Sequence, residues 1–170
     1  MNKDPAKLML TAVGLIAIYV GAACYRIHAG ENPDFYDPRN PTAFYWTENA
    51  LQYHYAELVG RGEGIPAFDP KLQAPEGVRL FENLTILMEY PCGGLYRLLG
   101  GARRGVLFHT FTIWFVAFFA GLTVFALYGC GRALGLGRPP SLLAAGLASF
   151  SYVAVGRSAQ GFLNECFSLP

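Results

Sequence analysis

The chain has 170 residues, of which 53% are hydrophobic and only 15% are charged, and its formal net charge at pH 7 is +1. A chain that is more than half apolar is typical of an integral membrane protein rather than of a soluble globular domain. The near-zero net charge supplies no basic surface for a nucleic acid, so we do not expect nucleic-acid binding.

Two apolar stretches are long enough to cross a membrane as helices. They cover residues 8–27 and 106–128, and a helix of about 20 residues spans the ~30 Å hydrocarbon core of a bilayer. A third stretch, residues 140–156, is shorter and rich in small residues, which allow helices to pack closely. We predict a third span there, although its length also fits a buried half-span. The basic start of the chain would suit a cleaved signal as well, but the two later stretches favour a retained membrane helix.

The distribution of basic residues predicts how these spans are oriented. Lys3 and Lys7 precede the first span, and Arg132 and Arg138 lie between the second and the third. Because lysine and arginine are enriched on the cytoplasmic side, we expect a cytoplasmic N-terminus and an extracytoplasmic loop over residues 28–105. Three arginines lie on the opposite side and do not fit this pattern: Arg26, Arg103 and Arg104.

The loop is long, acidic and aromatic, which favours an ordered and functional segment over a simple connector. Ten of the twelve carboxylates of the chain lie in it: Glu31, Asp34, Asp37, Glu48, Glu57, Glu63, Asp69, Glu76, Glu82 and Glu89. Asn40 and Pro41 suit a helix start, so we predict a helix over residues 41–59. Residues 84–100 are expected to form one or two short amphipathic helices at the membrane surface. The chain is thus predicted to be an all-α membrane protein of about three transmembrane helices with a long extracytoplasmic loop of short helices.

Glu48 lies one helical turn before Gln52, at the edge of the apolar face that Leu51, Tyr55 and Leu58 mark. If this carboxylate faces the interior it needs a partner, because an unpaired buried charge is costly. The alternative is a solvated glutamate that the positive end of the helix dipole favours.

Several segments resemble one protein family. Residues 48–54 (ENALQYH) are similar to an acidic first-loop motif, and residues 157–165 (RSAQGFLNE) are similar to a second-loop motif that begins with arginine and ends in acids. Proline and glycine turns at residues 65–69, 74–77 and 89–93 complete the likeness. The family is that of the catalytic subunit of oligosaccharyltransferase and the related glycosyltransferases of the GT-C fold.

The chain departs from the motifs of the family at five positions. Glu48 stands where aspartate is usual and lacks the proline that follows it, and His54 stands where arginine is usual. Asn164 occupies the place of the first acid of the second motif, and Glu165 is one position short of the second acid. A related GT-C enzyme with a different acceptor is therefore the alternative to a protein N-glycosylating enzyme.

The resemblance implies a membrane glycosyltransferase of the cell (inner) membrane. It would move a sugar from a polyprenyl phosphate or diphosphate donor to an acceptor polypeptide or glycan, with the assistance of a Mg²⁺ or Mn²⁺ ion. Carried over to this chain, the metal ligands are Glu48 together with Asn164 and Glu165. The catalytic residues are Glu48, Glu165 and Arg157.

Substrate binding is expected of Tyr53, His54 and Arg157, each of which also has a purely structural interpretation. Arg157 would then be an interfacial arginine that reaches towards water, His54 a residue of the helix surface, and Tyr53 a packing aromatic. For His109, in the second span, packing against another span is the preferred interpretation.

The resemblance also implies that residues 1–170 form the N-terminal part of a larger GT-C-type transmembrane domain. The family has many more spans and a soluble domain, so this chain alone is expected to be an inactive fragment. The competing hypothesis from another class is a non-enzymatic polytopic subunit that assists membrane assembly or acts as a scaffold.

Overall fold

The computed structural model describes residues 5–31, 48–151 and 154–156. This part of the chain is mostly helical, which confirms the all-α expectation in outline. The helices are α1 (Pro5–Gly30), α2 (Glu48–Arg61), α3 (Leu80–Asn83), α4 (Glu89–Leu98), a 3₁₀ turn (Ala102–Arg104), α5 (Phe108–Gly121), α6 (Thr123–Ala133) and α7 (Arg138–Ser149). Two short strands, β1 (Phe68–Asp69) and β2 (Val78–Arg79), form an antiparallel pair between α2 and α3.

Within the described ranges, two helical segments are long and apolar enough to cross a membrane. They are Pro5–Gly30 and Phe108–Ala133, each with 26 residues, of which an 18-residue stretch has a mean hydropathy of 2.0. The second consists of α5 and α6, which join at Leu122 with little interruption because its N–H still donates to Phe119 O, 3.0 Å away. This second segment extends beyond the predicted end at residue 128, since α6 continues to Ala133.

Helices α1 and α5 run antiparallel. The ring of Tyr19 in α1 contacts Phe118 and Phe125, with ring centroids 6.2 and 5.4 Å apart. At the other end of the pair, Trp114 Nε1 donates a hydrogen bond of 3.2 Å to Glu31 Oε1. The end of α1 and the start of α5 therefore lie at the same end of the helix pair, which we call the loop end.

Helix α7 packs against both α1 and α6. A Cβ atom at Gly14 would lie 3.6 Å from Leu142, and Phe150 contacts the ring of Tyr25 at 6.1 Å. Helix α7 therefore runs parallel to α1 and reaches the loop end at Phe150. Its 12 residues rise only ~18 Å, so the described helix has the length of a half-span. The third span over residues 140–156 stays a prediction, because residues 152–153 lie outside the described part.

The predicted helix over residues 41–59 is confirmed from Glu48 onwards, and residues 41–47 lie outside the described ranges. Helix α4 packs beside α2 through Gly93, where a Cβ atom would lie 2.3 Å from Ala56 O and 2.7 Å from Gly60 N. One turn later, Tyr96 lies against Gly60. The contacts advance along both helices together, so α2 and α4 are parallel.

The buried face of α4 repeats at helical spacing through Glu89, Cys92, Gly93 and Tyr96. The opposite face exposes large leucines, with Leu98 82% accessible. This confirms the predicted amphipathic character of the segment, while its location at a membrane surface stays a prediction.

Tyr96 connects the loop helices to the bundle. Its hydroxyl donates to Val106 O at 2.7 Å, and its ring meets Phe108 edge-on with centroids 4.9 Å apart. Tyr53 of α2 contacts the same Phe108 ring at 5.3 Å. The three rings belong to one apolar cluster, which fixes α2 and α4 at the start of α5.

The two-stranded hairpin is held to α2 by a buried tyrosine. Tyr55, 1% accessible, donates from its hydroxyl to Asp69 Oδ2 at 2.9 Å, while Asp69 Oδ1 accepts from the N–H of Lys71 at 2.8 Å. These two hydrogen bonds lower the pKa of Asp69. The carboxylate thus anchors the hairpin turn and links it to the helix.

The close approach at Gly93 yields a stability prediction. Gly93→Ala should destabilise the fold by about 1–3 kcal/mol, because the new methyl group must push α2 and α4 apart. Gly94→Ala is the matched control, since nothing lies within 4 Å of a Cβ atom there and alanine favours a helix over glycine by up to ~1 kcal/mol. Denaturant unfolding in detergent measures both. Equal stability of the two variants would contradict the tight packing of α2 on α4.

Candidate functional site

The predicted acidic pair is only partly within the described structure. Glu48 is the first residue of α2, but its side chain and the whole of Arg157, Asn164 and Glu165 lie outside the described part. Their catalytic and metal-binding roles therefore stay predictions. Among the described residues, no three or more His, Cys, Asp or Glu side chains lie close enough to share a metal ion.

The two substrate-binding candidates on α2 have different environments. Tyr53 is 9% accessible and belongs to the cluster around Phe108, an environment that matches its structural interpretation. His54 is exposed, and its ring lies 5.5 Å from that of Tyr55, so it remains accessible to a ligand. His109 in α5 is 2% accessible, as expected for packing.

A polar cavity of about 240 Å³ lies between the first turns of α2 and α4. We call it the Glu89 chamber. Its walls come from α2, from the end of α3 and the segment after it, and from the first residue of α4: Leu51, Gln52, Tyr55, Asn83, Leu84, Thr85, Ile86 and Glu89. The parallel packing of α2 and α4 places the starts of both helices at this chamber.

The chamber holds a deeply buried carboxylate. Glu89 is 1% accessible, and neither Oε1 nor Oε2 has a hydrogen-bond partner in the described structure. The same is true of Gln52 Oε1, and of the buried Oδ1 of Asn49, three residues earlier on the same side of α2. Buried polar atoms are nearly always hydrogen-bonded in proteins, so the oxygens of Glu89 and Gln52 make this chamber a candidate binding site.

The surroundings of Glu89 act on its ionisation in opposite directions. Burial raises the pKa of Glu89, while the backbone N–H groups of Glu89, Leu87 and Met88 oppose this effect. These N–H groups approach the carboxylate at the positive end of α4 and favour the anion, although their geometry falls short of full hydrogen bonds. The carboxylate of Glu89 can therefore accept hydrogen bonds from a ligand or bind a cation. Little else in the chamber compensates it for the loss of water on burial.

A second cavity, of about 320 Å³, lies at the other end of the same two helices. We call it the arginine pocket. Three guanidinium-bearing residues line it together with the turn that follows α4: Gly60, Arg61, Tyr96, Arg97, Leu98, Gly100, Gly101, Ala102 and Arg103. Cations of this kind around a small cavity are suited to an anion.

The arginines of this pocket differ in their partners. Arg61 forms an ion pair of 2.9 Å with Glu57, one turn earlier on α2. The guanidinium of Arg97 lies over Gly62, where a Cβ atom would be 2.9 Å from Nη1. Neither Arg97 nor Arg103 has a carboxylate partner within the described ranges. Two of the three guanidinium groups are thus available to an external anion.

An apolar groove of about 530 Å³ adjoins the arginine pocket. It shares Gly101 with that pocket and follows α5 towards the far end of the bundle, with these lining residues: Tyr19, Leu95, Leu99, Gly101, Arg104, Val106, Phe111, Trp114, Phe115, Phe118, Phe119 and Leu122. The lining residues of α5 run from Phe111 to Phe119 and Leu122 follows them, which is a rise of ~16 Å along the helix. Among the described residues that line the groove, Arg104 alone is charged, and it comes from the pocket end.

Sequence reasoning did not identify Glu89, Gln52 or Arg97 as site residues. The spacing of Glu89, Cys92, Gly93 and Tyr96 could have shown that Glu89 lies on the buried face of its helix. For the arginine pocket, the sequence did contain a signal. Arg103, which lines the pocket, is one of the basic residues that do not fit the predicted orientation of the spans.

Comparison with known proteins adds no relative. No protein-family model matches the chain, and no curated protein or solved structure is significantly similar to it.

The raised pKa of Glu89 leads to a pH prediction. An acid whose pKa is higher in the folded than in the unfolded state destabilises the fold as the pH rises from its unfolded value, near 4.5, through its folded value. Wild type should therefore lose stability relative to Glu89→Gln over that range. Unfolding free energies of both proteins at several pH values from 4.5 to 8 measure the difference. A difference that is independent of pH would mean that Glu89 ionises as easily in the folded chain as in water.

Proposed function

We propose that this chain is part of a membrane glycosyltransferase that takes a sugar from a polyprenyl phosphate or diphosphate donor. The observation that carries this proposal is the continuity of the arginine pocket with the apolar groove at Gly101. Such a donor has an anionic head and a long apolar tail, and the two adjoining cavities match these two parts.

The head of the donor fits the arginine pocket. A phosphate can accept paired N–H groups from a guanidinium, and such charge-assisted hydrogen bonds are about twice as strong as neutral ones. Arg97 and Arg103 are the residues that we assign to this contact, with Arg104 at the entrance to the groove. Binding of an anion would also explain why Arg103 and Arg104 lie on the extracytoplasmic side, where few basic residues are expected.

The tail of the donor fits the apolar groove. The groove lies along α5, in one of the two segments that can cross a membrane, and its aromatic side chains offer an apolar surface over several isoprene units. The donor could thus stay in the bilayer while its head enters the pocket. We propose a multi-pass protein of the cell (inner) membrane with a cytoplasmic N-terminus and the loop outside.

The resemblance to oligosaccharyltransferase assigns the chemistry to acidic residues. Glu48 would orient the acceptor polypeptide or glycan and take its proton. Carboxylate and amide oxygens of Glu48, Asn164 and Glu165 have the ligand chemistry that Mg²⁺ and Mn²⁺ prefer. Such an ion, when bound, would neutralise the departing phosphate. Arg157 is proposed to assist by pairing with a phosphate or a carboxylate.

Donor binding tests the proposal directly. Arg97→Gln combined with Arg103→Gln should weaken binding of a polyprenyl phosphate at least tenfold, because a hydrogen bond to a charged group contributes about 1.5–3 kcal/mol. Binding is measured with the purified chain in nanodiscs against the same polyprenol without phosphate. Arg138→Gln, at the start of α7, is the control. Equal affinity of all three proteins for the phosphate would reject the pocket and favour a scaffold subunit.

Transfer is tested in the longest natural form of the protein. Glu48→Gln keeps the size of the side chain but removes its charge, so sugar transfer should be lost while membrane insertion is retained. A chelator added to wild type should have the same effect, and Glu76→Gln, an exposed position in the hairpin turn, should not. Full transfer by both Glu48→Gln and the chelated wild type would exclude a metal-assisted reaction at this residue.

A further inference from the structure

We propose that the Glu89 chamber binds a divalent metal ion through Glu89 and Gln52. This site differs from the metal ligands that the resemblance assigns. It does not depend on the proposed transfer reaction, because it rests on the packing of α2 against α4 alone.

The type of atom in the chamber favours a metal ion. Three buried oxygens of its lining residues have no hydrogen-bond partner in the described structure: Gln52 Oε1, and Glu89 Oε1 and Oε2. Mg²⁺, Mn²⁺ and Ca²⁺ bind carboxylate and amide oxygens in preference to nitrogen or sulfur. Burial removes water from the carboxylate of Glu89, and no group in the described structure fully replaces that hydration. A bound cation would replace it.

The arrangement of the helices brings these ligands together. Gln52 comes from α2 and Glu89 from α4, and both side chains line the same cavity. Gly93, one turn after Glu89, holds α4 in contact with α2. The ligands therefore come from two rigid helices rather than from a loop.

The volume of the chamber fits a partly hydrated ion. A water molecule takes up ~30 Å³ in the liquid, so a cavity of about 240 Å³ has room for an ion and several waters. The two side chains supply up to three oxygens, and waters would complete the six-coordinate shell that Mg²⁺ requires.

The charge of Glu89 is essential to this site. The starts of α2 and α4 both present the positive ends of their helix dipoles, which disfavours a cation unless a full negative charge is present. Glu89→Gln should consequently abolish binding, although it keeps the shape and one oxygen. Gln52→Glu should instead strengthen binding by adding a second carboxylate.

The test measures Mn²⁺ alone, without donor or acceptor. The full chain in nanodiscs is titrated with Mn²⁺, and the electron paramagnetic resonance signal of free Mn²⁺ reports how much is bound. We expect saturable binding that Mg²⁺ displaces, a loss of at least tenfold in Glu89→Gln, and no change in Glu76→Gln. All variants are also made in a Glu48→Gln background, so that ions held by Glu48 with Asn164 and Glu165 are counted separately.

Thermal unfolding provides a second measurement. Mn²⁺ should raise the melting temperature of wild type and of Gln52→Glu but not that of Glu89→Gln. If Glu89→Gln fails to fold, Gln52→Leu replaces it and should weaken Mn²⁺ binding several-fold. Absence of saturable binding at ~1 mM Mn²⁺, or binding that Glu89→Gln leaves intact, would overturn the proposal. Because no lipid donor is present, neither result depends on the arginine pocket.

Discussion

The contact between Gly93 and the backbone of α2 is the constraint on which both candidate sites depend. Any larger side chain at Gly93 would meet Ala56 O, so the two helices approach as closely as their backbones allow. One turn before this contact the helices enclose the Glu89 chamber, and beyond it they enclose the arginine pocket. The separation of α2 and α4 therefore sets the width of both cavities, and a shift at this contact would alter the two together.

Tyr96 then determines how these cavities are placed against the bundle. Its ring fills the space beside Gly101, where a Cβ atom would lie 2.2 Å away, and its hydroxyl holds Val106 O. The arginine pocket consequently opens onto α5 where that helix begins, and the apolar groove continues from the same point. An anionic site and an apolar channel meet because one aromatic side chain connects the amphipathic helix to the candidate membrane span.

The sequence predicted those features that depend on local pattern. Hydropathy located α1 and the α5–α6 segment, and the spacing of Leu51 and Tyr55 predicted α2, because these properties belong to single helices. The pairing of α2 with α4 was not predictable, since it brings together residues about 40 positions apart and depends on which faces meet. The burial of Glu89 follows from that pairing, so the Glu89 chamber could not be identified before the packing was known.

The charges at the ends of α2 and α4 have a structural role that must be separated from binding. Glu48 and Arg61 lie at the two ends of α2, and Glu89 and Arg97 lie near those of α4, which is the order that helix dipoles favour. Because α2 and α4 are parallel neighbours, the like ends of their dipoles lie side by side and repel each other. A charged side chain of opposite sign at each end reduces this repulsion in both helices. A charge that stabilises a helix end in this way can be fully exposed to solvent. Arg61 is such a charge, since 59% of its side chain is accessible. Glu89 is almost wholly buried, at a desolvation cost that the dipole alone, at about 0.3–1 kcal/mol for an exposed charge, does not offset. This burial separates Glu89 from the exposed charges at the other helix ends, and it is the reason that we propose a ligand at Glu89.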